Sequence, residues 1–272
     1  MRVSFNLGGG RRSVPVRDVS FSVPEEGRVA LVGESGCGKS LTALAVGGLV
    51  DRADVSGIVS GHPRISYVFQ NPMQSLNPVM RVGAQIAEAG RNADIPSLLS
   101  SVGLPAAAAR KYPCEMSGGQ QQRVMIAMAL AAEPDLLIAD EPTTALDVTT
   151  QREVLDLMSR AAEERGTSLL LITHNLGLVA RYARCVYVMY AGEIVESGPV
   201  KTVLRSPRHP YTKGLLAAVP RLDAPKDAEL ADIPGTVPPP TAWPTGCAFH
   251  PRCPKARPSC SSPDFSACPE MT

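Results

Sequence analysis

The sequence predicts an α/β fold with a mainly parallel central sheet, on three observations. First, the apolar run Val29-Ala30-Leu31-Val32 passes through Gly33-Glu34-Ser35-Gly36-Cys37-Gly38-Lys39-Ser40 into a stretch of helical character at residues 41–46. Second, two further apolar runs, Leu136-Leu137-Ile138-Ala139 and Leu169-Leu170-Leu171-Ile172, end in Asp140-Glu141 and Thr173-His174. Continuous runs of that length suit strands covered on both faces, and ligands gather at the carboxyl ends of such strands. Third, residues 80–131 turn to Ala, Leu, Gln and Arg with helix-like spacing, so a helical subdomain is inserted between strands.

The elements follow in order. Val3-Ser4-Phe5 and residues 16–23 alternate apolar with polar, the period of half-buried strands, with a glycine-rich turn at 8–12. They predict an antiparallel β subdomain at the N-terminus. Strand, glycine loop and helix at 29–46 form a phosphate-binding loop. Its glycines let backbone N–H groups turn inward, the helix N-terminus adds partial positive charge, Lys39 reaches β- and γ-phosphates, and Ser40 can sit on Mg²⁺. A nucleoside triphosphate is the expected ligand. Ile65-Ser66-Tyr67-Val68-Phe69 is a short strand ending at Gln70. Ile86, Ala89 and Gly90, then Leu98, Leu99 and Val102, keep helical spacing. Ser117 suits an N-cap for the helix beyond it, and the orphan N–H groups at that end can receive an anion. Residues 186–190 and 193–196 read as strands joined by a hairpin turn at Ala191-Gly192. Six prolines between 221 and 246 mark an extended linker before a cysteine-bearing tail.

Composition narrows the class. At 272 residues, with a formal charge of +1 and 19% charged residues, the chain has a sizeable core and no overall basic field for nucleic acid. No apolar run reaches the ~18–20 residues of a membrane helix, and residues 1–7 lack the apolar centre of a signal peptide. A cytosolic protein, peripheral to any membrane, is expected. Of seven cysteines, Cys247, Cys253, Cys260 and Cys268 crowd the tail, while Cys37, Cys114 and Cys185 stand alone; Cys37 is expected as a small residue that fits its loop, and Cys114 and Cys185 are expected to pack. In a reducing compartment such a cluster points to metal more than to disulfides. Its spacing matches neither a paired zinc motif nor the usual ferredoxin run, so a [4Fe–4S] cluster, Zn²⁺ and free thiols all stay open.

Over roughly residues 1–200 these pieces resemble the ATP-binding subunit of ATP-binding cassette (ABC) transporters, a P-loop NTPase with a RecA-like core. Residues 33–40 match Walker A, Gln70 the Q-loop, and Ser117-Gly118-Gly119-Gln120 the signature motif. Residues 136–140 followed by Glu141 match Walker B with its catalytic glutamate, residues 145–147 the D-loop, and His174 the switch histidine. The resemblance narrows to the oligopeptide/dipeptide importer group, which includes nickel importers. Asn77-Pro78-Val79-Met80, residues 139–149, Tyr190-Ala191-Gly192, His209-Pro210-Tyr211-Thr212 and residues 246–254 carry it. Two departures are visible: the segment between Ala87 and Ser117 is short for the group, and Met116 replaces the usual Leu. The domains expected are a nucleotide core at 1–71 and 132–200, a helical signature subdomain at 72–131, and a C-terminal extension at 201–272.

The resemblance implies ATP and Mg²⁺, with Ser40, Gln70 and Asp140 holding the metal directly or through water. It implies Glu141 orienting the attacking water, His174 holding the γ-phosphate, and Phe5 as the aromatic on adenine. Ser117, Gly118, Gly119 and Gln120 would meet the ATP of a second cassette, with Asp147 at the dimer contact. Two transmembrane permease subunits and an extracytoplasmic substrate-binding protein complete the implied assembly, at the cytoplasmic side of a bacterial membrane. Competing readings are a nickel importer, a soluble ABC-type ATPase acting on DNA or ribosomes, and a metal or redox sensor with ATPase output.

Overall fold

The computed structural model describes residues 1–61, 63–144, 146–219, 232–265 and 267–271. Residues 221–231 of the expected linker, Pro225 among them, and Ala145 of the expected D-loop lie outside them. The backbone divides into two compact units, one of Met1–Ser22, Ala30–Ser60 and Thr173–Thr272, the other of Val23–Val29 and Gly61–Ile172.

The elements run β1 (Arg2–Asn6), β2 (Arg12–Val16), β3 (Arg28–Val32), α1 (Lys39–Val46) and β4 (Asp54–Ser56). Then come β5 (Ile65–Val68), α2 (Pro72–Ser75), α3 (Val82–Ala89), α4 (Ile95–Ser101), α5 (Gly118–Ala131) and β6 (Leu136–Asp140). The chain continues with α6 (Val148–Glu163), β7 (Ser168–Thr173), α7 (Leu176–Tyr182), β8 (Cys185–Tyr190) and β9 (Glu193–Pro199). Two short helices, α8 (Val200–Arg205) and α9 (Pro210–Ala217), lead to the extension.

In the first unit β1 is the middle strand of a small antiparallel sheet, with Val3 opposite both Val16 and Val55. Residues 16–23 are not the strand their alternation suggested. Val16 pairs at the end of β2 and Asp18 makes an isolated parallel bridge to Glu193, but there is no continuous ladder; the Arg17 and Asp18 N–H groups both donate to the Gly192 carbonyl. Extended chain has period two with or without a partner strand, so the pattern could not tell them apart. The proline-rich strap that follows α9 runs along β2: Val14 N–H donates to Pro240 O at 2.9 Å, and Trp243 Nε1 donates to Val14 O at 2.9 Å. The Arg17 guanidinium covers the Trp243 ring at 5.4 Å. β8 and β9 form the expected hairpin, its turn residues Ala191 and Gly192 at φ 49° and 80°. Positive φ at both centres is the twist that lets flanking strands stay paired.

In the second unit β5, β6 and β7 are parallel neighbours, with Ile138 aligned to Tyr67 on one side and Leu170 on the other. The two apolar runs are buried along their length, as covered strands must be. Burying each such Leu or Ile contributes about 2 kcal/mol. α6 buries Val154, Leu155, Leu157, Met158, Ala161 and Ala162, the stripe of an amphipathic helix. The helical insertion is α2–α5, with 3-10 turns at Ala106–Arg110 and Pro113–Glu115 completing the short segment. Leu98, Leu99 and Val102 are buried as their spacing predicts, and Met116 is buried too. Ala89 is exposed; α3 instead buries Val82, Gln85 and Ile86. Cys114 is exposed in its 3-10 turn rather than packed, and Cys185 is half-buried. Among the described residues no helix is long and apolar enough to cross a membrane.

Candidate nucleotide-binding site

The fully buried β3 delivers the chain to the loop at 33–40, and α1 leaves it. Gly38 is the N-cap of α1 at φ 98°, and a Cβ there would sit 2.7 Å from the Pro15 carbonyl oxygen. At Gly33 a Cβ would collide with the Met189 carbonyl oxygen. A side chain at either position would push the loop off its seat. Gly38 has no side chain, so the N-cap of α1 makes no side-chain hydrogen bond to the first turn. Gly36 faces open space and Ser35 and Ser40 are exposed, whereas Lys39 and Cys37 are buried. The Lys39 ammonium donates to the Gly33 and Glu34 carbonyl oxygens at 2.8 and 3.0 Å. Glycine-exposed backbone N–H groups, a helix N-terminus and one cation make a donor set that fits a polyphosphate. His174, in the same unit, is exposed just past the end of β7. Phe5 is half-buried on β1 opposite Ser13.

The loop rests on residues the sequence did not assign to it. Tyr211 Oη accepts the Glu34 N–H at 2.8 Å and lies 3.9 Å from Cys37 Sγ. The Arg252 guanidinium grips the Glu34 carboxylate with both terminal nitrogens, at 2.8 and 3.0 Å. Tyr190, Tyr211 and Phe249 pack with ring centroids 4.6–5.3 Å apart, giving α9 and the extension an aromatic joint with β8. Burial pushes the Tyr211 hydroxyl and the Cys37 thiol above their ordinary values, so both stay protonated. The stretches holding Tyr211 and Arg252 stood out in the sequence, but as family signatures without a role.

His209 caps α9 by accepting the Tyr211 N–H on Nδ1 at 3.1 Å, while the His209 backbone N–H donates to Glu196 Oε2 at 3.0 Å. Burial holds its pKa down at about 4 against an ordinary 6.5, with Glu196 opposing and Lys213 assisting. The folded state therefore binds fewer protons than the unfolded chain between those values. The stability His209 contributes is complete above about pH 6.5 and is lost as pH falls towards 4, by up to about 3 kcal/mol. Urea midpoints at pH 7.5 and 5 should show this loss. His209→Gln should flatten it.

The second unit holds the remaining residues. Asp140 ends β6 half-buried, and Glu141 follows at φ 45°, its N–H donating to Ile172 O at 2.9 Å. A non-glycine residue in that region is strained, and such strain concentrates at functional sites. Gln70 is exposed just beyond β5. Ser117 caps α5 in a reciprocal box with Gln120: Ser117 Oγ accepts at 3.3 Å, and Gln120 Oε1 accepts from Ser117 N–H at 3.1 Å. The hydroxyl keeps its proton to donate elsewhere. Asp147 caps α6 by accepting from Thr149 and Thr150 N–H at 3.1 and 3.0 Å, and the Thr150 bonds hold its carboxyl below the ordinary value. These two helix N-termini adjoin, since a Cβ on Gly119 would lie 2.9 Å from Thr150 Cγ2.

In the tail, Cys247, Cys253, Cys260 and Cys268 line one small cavity of about 10 Å³, with Phe249, Phe265 and His250 around it. Burial pushes the Cys247 and Cys253 thiols up, and the nearby Cys268 and Cys260 add to the shift. Among the described residues no three His, Cys, Asp or Glu side chains are arranged to hold a single metal ion.

Residues 16–144 match the family described as ABC transporter, and residues 195–260 match the oligopeptide/dipeptide transporter C-terminal region. A Brucella ovis protein named "Putative peptide import ATP-binding protein" is 47% identical over 292 aligned residues, covering 92% of this chain and 86% of the relative. The chain belongs to the ABC transporter ATP-binding proteins. A Brucella abortus member with the same descriptive name is 44% identical over 295 residues, covering 97% of this chain and 88% of its own. A family described as "AAA domain, putative AbiEii toxin, Type IV TA system" also matches residues 112–180. Among solved structures, a dimeric ATP-binding cassette in a post-hydrolysis state with ADP and Pi superposes with a TM-score of 0.60 at 26% identity, covering 73% of this chain and 96% of that one. cbiO1 from Clostridium perfringens shares the fold, with a TM-score of 0.64 at 24% identity and coverage of 75% and 88%. The ABC ATPase fold thus agrees with the expected α/β architecture, and the chain is an ATP hydrolase of this family.

Proposed function

We propose that this ABC ATPase powers uptake of di- and oligopeptides through separate membrane subunits. The match of residues 195–260 to the oligopeptide/dipeptide transporter region carries the cargo assignment, and the relatives' names support it. Both favour peptides over nickel. The nucleotide core of 1–71 and 132–200 and the signature subdomain of 72–131 would supply the motor, with 201–272 as the group's extension.

Phosphoryl transfer to water asks for charge neutralisation and a positioned water rather than covalent chemistry. Ser40, Gln70 and Asp140 would hold Mg²⁺, directly or through water, and the bound ion would supply Lewis acidity at the phosphate oxygens. Lys39 takes up the charge of the β- and γ-phosphates, Glu141 orients and polarises the attacking water, and His174 holds the γ-phosphate in line. Phe5 stacks on adenine. Ser117, Gly118, Gly119 and Gln120 close over the ATP of a second cassette, with Asp147 at the seam, so ATP joins the pair and hydrolysis releases it. The uncapped, glycine-built N-terminus of α1 supports the phosphate-binding part of this scheme. Two permease subunits would receive the motion, and an external binding protein would deliver cargo. The chain would then sit at the cytoplasmic face of the membrane.

Copurified membrane subunits reconstituted in vesicles test the reading. ATP-dependent accumulation of a labelled dipeptide is expected. Accumulation of nickel alone, or hydrolysis indifferent to the membrane subunits, would reject it.

The same proposal takes the tail cysteines as ligands of a [4Fe–4S] cluster. All four line one cavity. Iron and sulfide in equal amounts, about four of each per chain, are expected after anaerobic purification. One zinc per chain, or no metal, would replace the assignment with zinc or free thiols.

A further inference from the structure

Within the phosphate loop, Glu34 is held through both its backbone and its side chain. Its N–H is taken by Tyr211 Oη at 2.8 Å, and its carbonyl accepts from Lys39 Nζ at 3.0 Å and from Cys37 N–H at 3.3 Å. Its carboxylate is taken by Arg252, whose side chain is 4% exposed. The five guanidinium N–H groups all have acceptors: Glu34 takes two, and Tyr190 Oη, Ile233 O and Pro234 O take one each, at 3.4, 3.0 and 2.8 Å. The Glu34 bonds raise the Arg252 pKa further, so the charge is permanent.

A carboxylate in the loop that receives a polyanion is an electrostatic liability. Arg252 cancels that charge at bidentate distance, which a lysine's single ammonium cannot reproduce. Tyr211 fixes the backbone of the same residue, and with it the carbonyl that holds the Lys39 ammonium. We infer that Arg252 and Tyr211 are positioning residues for ATP: Arg252 neutralises Glu34, and Tyr211 anchors the loop backbone, making the C-terminal extension an integral part of the nucleotide site. This rests on the reading of residues 33–40 as the ATP cradle. Docking of the tail for its own stability would need neither the charge match nor the Tyr211 bond to Glu34.

The test uses the full chain with its membrane subunits, reading KM for ATP, kcat, and the melting temperature without nucleotide. Arg252→Met should raise KM about tenfold, the value of one charge-assisted contact, with kcat within about twofold. Adding Glu34→Gln should bring KM back to within about threefold of the parent, because the stranded charge is gone. Tyr211→Phe, which keeps the ring and its packing, should raise KM about fivefold, and Glu34→Gln should not restore it. A KM within twofold of the parent in both Arg252→Met and Tyr211→Phe would overturn the inference. So would a double variant no better than Arg252→Met, or a lowered melting temperature with KM unchanged. Lys39→Ala is the control. If it leaves ATP binding intact the cradle reading itself falls, whereas if it abolishes binding while Arg252→Met and Tyr211→Phe do nothing, only this inference falls.

Discussion

Glu141→Gln should retain ATP with an affinity within about twofold of the parent while turnover falls at least about a hundredfold, the usual scale for removing a general base. The substitution is nearly isosteric, so the positive-φ turn after β6 and the Glu141 N–H bond to Ile172 O should survive. What disappears is the negative oxygen that polarises the attacking water. The variant should also accumulate as a nucleotide-bound cassette pair, because the step that parts the two copies is the one removed. Single-turnover hydrolysis and sizing in Mg-ATP measure both effects. Turnover at the parental rate would take Glu141 out of the mechanism.

Lys39→Ala should weaken ATP binding about thirtyfold, or ~2 kcal/mol, by removing a charged donor from the phosphates. Lys39 is buried against the Gly33 and Glu34 carbonyls. Its loss should therefore also slacken the loop, and the fall in affinity should exceed that of Tyr211→Phe. Titration with ATP at fixed Mg²⁺ reads it directly. Equal affinity in parent and variant would contradict the assignment of residues 33–40.

The parts of the site that could be read in the sequence are those where the backbone does the work. Gly38 must be glycine at its φ and beside Pro15, the apolar runs of β6 and β7 must be covered, and Ser117 must cap a helix. Each leaves a local mark within a few residues. The supports of the loop leave none, because Tyr211 and Arg252 stand 177 and 218 residues from Glu34. A tyrosine and an arginine at such separation look like any other pair until the chain is folded. Residues 16–23 misled for the opposite reason: their alternation was real, but the stretch makes only one isolated bridge, and the Arg17 and Asp18 N–H groups go to the Gly192 carbonyl rather than into a ladder. The cysteines sit between these cases, legible as a cluster by proximity in sequence, with their shared cavity supplied only by the fold.

The strap beside β2 bears on how this molecule behaves among its own copies. A strand at the margin of a sheet is a template on which a stray chain can add itself. Here the Val14 amide and carbonyl are already engaged by Pro240 and Trp243, and the imide nitrogens of Pro238, Pro239 and Pro240 have no hydrogen with which to pass the ladder outward. On that side the small sheet has a terminus that cannot seed growth, so crowding many cassettes at one surface need not zip them together there.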